Sequence, residues 1–276
     1  MRKRGAADAV PCFLYPGKGS CAMSLQNPEG QFRRFAPDYS GIRVQEPIFA
    51  VMTDPYGKTQ GYQMDILTPE TNDTTPRPVI CFVHGGAFMQ PCDRKQSYIS
   101  YFAQKLIPAG YALAVPDYPL FDNENDLSAA GDEYAQSAYA AAGIHRAAAF
   151  LREHAADYRL DIRQMILMGG SAGAIGGFRA LTEAPQEFSA FVNLWGAPAA
   201  VPNVQNFPPV CSVHGTADTT VPYDREPPLQ QALTAAGIPH ELYTIEGAGH
   251  TPIPQALALL PDILTFIRTQ LTKTAK

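Results

Sequence analysis

The chain has 276 residues, 46% of them hydrophobic and 17% charged. That composition suits a large α/β domain and excludes disordered and fibrous classes. A net charge of −5 spread along the chain, with one basic cluster at Arg2-Lys3-Arg4, argues against a nucleic-acid partner, and no apolar run reaches the roughly 18 residues of a membrane span.

Residues 1–45 lack a clear period and carry Gly17, Gly19, Pro28, Gly30 and Pro37, so they read as an N-terminal arm or partial lid. Asp8, Pro11 and Pro16 interrupt the apolar segment that a signal peptide needs after a basic start. A cytoplasmic location is expected, with secretion left open, and Met23 is an alternative start. Five cysteines show neither C-x-x-C nor zinc spacing, and an odd number cannot all pair within one chain. Reduced thiols are expected, with Cys81 and Cys211 buried in strands and Cys12–Cys21 as the one pairing to consider.

Residues 46–276 read as a single domain, without repeats or a dividing linker. Segments 48–53 and 62–67, separated by "DPYGKTQG", form a hairpin pattern. Continuous apolar runs follow at 79–84, 111–118, 165–169, 191–196 and 210–215, with 241–247 last; runs of this kind suit strands covered on both faces. Apolar helix patterns lie between them near 98–109, 128–154, 172–182, 227–236 and 254–271, where Pro261 predicts a kink or a late helix start. The alternation predicts an α/β fold with a mostly parallel central sheet and helices on both faces. The Pro-rich segment 197–209 is expected to help wall a pocket.

Ligands of such sheets bind beyond the carboxyl ends of the strands, and the residues there are polar. Ser171, in "GGSAG", fits G-x-S-x-G, where small flanking residues allow a sharp turn from strand to helix. The motif alone is not decisive, but an apolar strand precedes it and a helix-compatible segment follows. A serine hydroxyl becomes nucleophilic when a base takes its proton and an acid orients that base. Asp218 in "HGTAD" and His250 in "GAGH" follow in that role, each in a loop after a strand, with Asp224 as the substitute acid. In "HGGAF", Gly85 and Gly86 are candidate backbone donors to an oxyanion, completed by Ala172, with His84 bracing the loop. Phe88, Tyr118, Trp195 and Tyr223 are candidate pocket aromatics, although aromatics are more often core; Asp117 either lines the site or buttresses it. His145, His154 and His240 read as structural or solvated. Met52 stands where a P-loop before "GKT" needs glycine, and neither a dinucleotide fingerprint nor H-E-x-x-H occurs, so neither cofactor nor metal is expected.

Together "HGGAF", "DYPL", "GGSAG", "HGTADTTVP" and "GAGH" resemble the α/β-hydrolase superfamily, in an esterase branch similar to hormone-sensitive lipase and to feruloyl and acetyl-xylan esterases. The resemblance spans about residues 45–271. Two departures are Ala87 in place of the third glycine of H-G-G-G and the lack of Pro-Glu after "DYPL". The resemblance implies an α/β-hydrolase fold and a serine hydrolase cleaving carboxylic esters of small acyl groups, on a small-molecule or carbohydrate substrate, with acetyl or feruloyl esters among the options. Amide, peptide or formamide hydrolysis on the same triad, and a non-catalytic binding protein on this fold, are the alternatives. Homo-oligomerisation is left open.

Overall fold

A computed structural model describes residues 39–274 and, before them, a short antiparallel pairing of β1 (Leu25–Gln26) with β2 (Phe32–Arg33). The expected Cys12–Cys21 pairing, and most of the segment read as an arm or lid, lie outside the described residues.

The main sheet has nine strands. β3 (Ile42–Gln45), β4 (Ile48–Thr53) and β5 (Thr59–Pro69) run antiparallel at one edge. β6 (Arg77–Val83), β7 (Ala112–Pro116), β8 (Leu160–Gly170), β9 (Ala190–Leu194), β10 (Val210–Gly215) and β11 (His240–Ile245) are parallel to one another. Their spatial order is β11-β10-β9-β8-β6-β7-β5-β3, with β4 paired to β5 beside that path. β3 joins the sheet from Ile42, within the segment read as an arm; its four residues are too few to announce a period, and pairing with β5 makes them a strand.

The chain runs from β6 outward to β7 through α1 (Ser97–Leu106), then returns across β6 to β8. The loops after β6 and β8 thus leave the sheet side by side at the point where strand order reverses, which is where doubly covered sheets hold their ligands. The return path is not the single helix expected over 128–154. It breaks into α2 (Glu124–Ala129), α3 (Glu133–Gln136), α4 (Ala138–Glu153) and α5 (Ala155–Tyr158). The breaks have local causes: Asn123 caps α2 by accepting from the N–H groups of Asn125 and Asp126, and Asp132 caps α3 by accepting from Ala135 N–H.

Two apolar layers flank the sheet. One packs α4, α6 (Ala172–Glu183) and α7 (Glu226–Ala235) through residues such as Ile144, Phe178 and Leu229. The other packs α1 and α8 (Ile253–Thr274) through Phe102, Ile263 and Ile267. The late start offered as one reading of Pro261 does not occur: α8 runs as one helix from Ile253 through Pro261. The ring removes one helical donor, and burial of the neighbouring Leu260, Ile263 and Leu264 offsets that loss. Cys81 and Cys211 are buried free thiols, as expected, and so is Cys92.

Candidate active site

Ser171 sits between β8 and α6 with φ 53 and ψ −123, a region that L residues occupy only when the surroundings enforce it. The enforcement is visible. Its N–H donates to Leu194 O at 2.9 Å, and its own carbonyl accepts from the N–H groups of Ala174 and Ile175. A Cβ on Gly169 would lie 2.6 Å from Ala174 N, and one on Gly173 would collide with the carbonyl oxygens of Val83 and His84. Those contacts supply the steric reason for both glycines of G-x-S-x-G.

From this turn the hydroxyl reaches the base. His250 Nε2 lies 2.9 Å from Ser171 Oγ, and His250 Nδ1 lies 2.7 Å from Asp218 Oδ2. Asp218 is the acid that faces His250, so the substitute, Asp224, is not needed. The buried Asp218 carboxylate also accepts the N–H groups of Thr220 and Val221 on Oδ1, at 2.9 and 3.0 Å. Burial would raise its pKa, but hydrogen bonds from His214 and His250 outweigh it and hold the carboxyl well below the usual carboxylate range. The loops bearing the acid and base are zipped together by Ala217 N–H on Ala248 O and Gly247 N–H on Thr216 Oγ1.

The loop after β6 departs from expectation at Gly85. Its N–H donates to the buried Tyr98 hydroxyl at 3.2 Å, so it is engaged elsewhere and not offered to a ligand. Its carbonyl accepts from Gln96 Nε2 at 3.0 Å and lies 2.8 Å from His84 Nδ1. With Gly85 held on both edges, the planar Gly85–Gly86 peptide is fixed, and the trans geometry turns Gly86 N–H away from the clamped carbonyl. Among the described residues no protein acceptor pairs the N–H of Gly86, Ala87 or Ala172. Ala87 has φ 53, a left-handed conformation that glycine adopts without strain, which fits its place at the third position of an H-G-G-G pattern.

The aromatics expected to wall a pocket are mostly buried against other side chains. Tyr118 is 2% exposed, stacks on His84 with ring centroids 4.3 Å apart and donates its hydroxyl to His84 O at 3.0 Å. It buttresses the loop because its ring and its hydroxyl are both engaged there. Burial lowers the pKa of His84, which supports the bracing role expected of it. Phe88 packs edge-on against Tyr118, and Trp195, 1% exposed, packs edge-on against Tyr98. Tyr223 is half-buried, with its hydroxyl 3.1 Å from Thr244 Oγ1 and its ring near-perpendicular to that of His214. Asp117 is a buttress: Arg94 meets it through both backbone N–H and guanidinium, and also contacts Asp65 and Glu46.

In 197–209, Ala197, Val204 and Phe207 are buried, and Ala199 N–H donates to Glu133, whose other oxygen pairs with Arg225 at 2.8 Å. His145 bridges Glu183 and Glu187 on the flank, His154 pairs with Asp157, and His240 contacts Thr234 and Ile238 O; all three are structural as expected. Among the described residues no cluster of His, Cys, Asp or Glu has the geometry of a metal site, and no helix is long and apolar enough to cross a membrane.

The family model of BD-FAE matches residues 64–205, about half of the chain, including the loop after β6 and the Ser171 turn. The chain belongs to the BD-FAE family. This is a family of α/β-hydrolase esterases. The fold agrees with solved structures. Apo Thermogutta terrifontis esterase 2 is similar with a TM-score of 0.62 at 21% identity, covering 84% of this chain and 96% of that one. MGS-M1, an α/β-hydrolase enzyme from a Medee basin deep-sea metagenome library, is similar with a TM-score of 0.66 at 16% identity, covering 84% and 99%. No curated protein sequence matches the chain.

Sequence reasoning missed Tyr98, Gln96, His214 and Glu226. Tyr98 and Gln96 lie at the start of α1 and read as ordinary helix-entry residues. His214 stands in plain view in "HGTAD". Glu226, followed by Pro227 and Pro228 at the start of α7, reads as a routine acidic residue at a helix N-terminus, and nothing local reveals its partner.

Proposed function

We propose that this BD-FAE family member is a serine hydrolase of carboxylic esters with small acyl groups. The observation that carries the reading is a continuous hydrogen-bonded line, Ser171 Oγ to His250 to Asp218, beside three unpaired backbone N–H groups. The family match ends at residue 205, before Asp218 and His250, so the acid and base rest on geometry.

His250 Nε2 accepts the Ser171 hydroxyl proton as Oγ bonds to the ester carbonyl carbon. The carbonyl electron pair moves onto oxygen, and that oxyanion is held by Gly86 and Ala172, with Ala87 taking the place expected of Gly85. Collapse re-forms the carbonyl and breaks the bond to the alcohol oxygen, which receives the proton from His250. Water then repeats the sequence on the acyl-enzyme, His250 again taking the proton, and releases the acid with Ser171 restored. Asp218, ionised and hydrogen-bonded to Nδ1, keeps Nε2 free to accept and stabilises the imidazolium that forms. No step calls for a cofactor.

Ser171→Ala is expected to lower p-nitrophenyl butyrate hydrolysis by at least about 10³-fold while retaining the native circular dichroism spectrum. A fluorophosphonate probe is expected to label Ser171 alone. Thermogutta terrifontis esterase 2 has been seen phosphonylated by cyclosarin, which supports the choice of probe. Full hydrolysis by Ser171→Ala overturns the reading.

A further inference from the structure

Behind Asp218 the polar line continues into the core. His214, at the end of β10, and Glu226, at the start of α7, are both 0% exposed. His214 Nε2 lies 2.9 Å from Val221 O and 3.2 Å from Asp218 Oδ2, while Nδ1 lies 3.0 Å from Glu226 Oε1. Burying three ionisable side chains without solvent is costly unless their charges are matched and hydrogen-bonded.

Counting donors assigns the protons. Nε2 faces only acceptors, so it carries hydrogen. Asn193 has its orientation set by Gly196 N–H donating to Oδ1 at 3.0 Å, so its Nδ2 donates to Glu226 Oε1 at 3.1 Å. Glu226 Oε2 accepts from Gln230 Nε2 at 2.9 Å. With Glu226 ionised, both of its oxygens accept, and His214 Nδ1 then carries hydrogen as well. Burial disfavours the resulting imidazolium, but the bonds to Asp218 and Glu226 outweigh it and raise its pKa to about 9. The other groups facing the ring are neutral: the Val221 carbonyl and the Tyr223 ring, its centroid 5.8 Å away.

We propose that His214 and Glu226 are positioning residues that extend the triad inward, an ion pair that clamps Asp218 Oδ2 on His250 while leaving one net negative charge behind the base. The inference rests on the Ser171–His250–Asp218 reading above. Its logic is electrostatic. An imidazolium alone beside Asp218 would cancel the negative charge that stabilises protonated His250 in the transition state; a second carboxylate alone would overstabilise it. The pair holds the acid in place and leaves its charge in force.

Three variants separate this from a merely structural role. In His214→Gln two carboxylates lose their shared cation, so the acid limb of the kcat/KM profile is expected to move up by about one pH unit and kcat to fall about tenfold. Glu226→Gln lets His214 shed its Nδ1 proton, keeps one net negative charge, and is expected to leave the limb within about 0.3 unit of wild type. The double variant removes one charge of each sign and is expected to return the limb to the wild-type position, which a loss of packing would not do. Nitrogen-15 NMR of the wild-type histidines, which needs no variant to fold, is expected to show His214 protonated on both nitrogens at pH 7.5. An unmoved limb in an active His214→Gln enzyme, or a singly protonated His214 at that pH, overturns the proposal. Failure of the triad reading looks different: Ser171→Ala stays active.

Discussion

The two loops that flank Ser171 are built on opposite principles. After β6, side chains hold a backbone: Tyr98, Gln96 and His84 grip Gly85 at both edges, and the neighbouring N–H groups are left unpaired. After β10, the backbone holds a side chain: the N–H groups of Thr220 and Val221 fix Asp218 Oδ1 so that Oδ2 meets His250. A donor made of backbone is deleted only by proline; any other substitution can only tilt it. A carboxylate can be deleted outright. The contrast implies steep losses from single changes on the acid side and graded ones on the donor side.

The strongest attempt to break this contrast is Asp218→Asn. An amide at Oδ2 that donates its hydrogen to Nδ1 would force the other tautomer of His250, so kcat is expected to fall about 10³–10⁴-fold with KM nearly unchanged. A loss under tenfold in p-nitrophenyl butyrate turnover would place the acid elsewhere. On the donor side, Gln96→Leu leaves Gly85 O held by His84 alone, and a fall in kcat of about three- to tenfold is expected, well short of the ~10²–10³ of losing a donor outright. Tyr98→Phe leaves a buried N–H unpaired, at a cost of about 1–3 kcal/mol, read as a lowered Tm and a partial loss of kcat. If either donor-side variant matched Asp218→Asn, the two loops would not differ in kind.

The smallest effect concerns stability against pH. His214 has its folded pKa raised from 6.5 to about 9, so its contribution is fully present below about pH 6.5 and is lost as pH rises through 9. Tm is expected to decline from pH 7 to 9.5 in the wild type and to decline less in His214→Gln/Glu226→Gln. Equal slopes would mean that the pair carries no charge linkage.

What could be read from the chain divides along the same line. β10 falls on 210–215 as expected, and Ser171, Asp218 and His250 stand where their strands deliver them, because apolar runs and chain order are local signals. The direction of a backbone N–H is not. Gly85 is expected as a donor beside Gly86 because neither has a side chain, yet its N–H donates to Tyr98, thirteen residues on. Tyr118 and Trp195 show a second limit: an aromatic near a strand end can face the cavity or support its wall, and the partners that decide, His84 and Tyr98, belong to other segments. The breaks before α4 were within reach, since Asn123 and Asp132 are ordinary capping residues.

The strand order also governs when the site comes into existence. The loops after β6, β8, β10 and β11 reach it from distant parts of the chain, and the parallel strands that carry them pair through crossovers, non-local contacts whose loop closure is entropically costly. Gly86, Ser171, Asp218 and His250 are neighbours only in the assembled sheet, so a chain in which β11 is not paired with β10 separates the Ser171 loop from the His250 loop. The proposed site is thus a property of the finished sheet, and of no single segment.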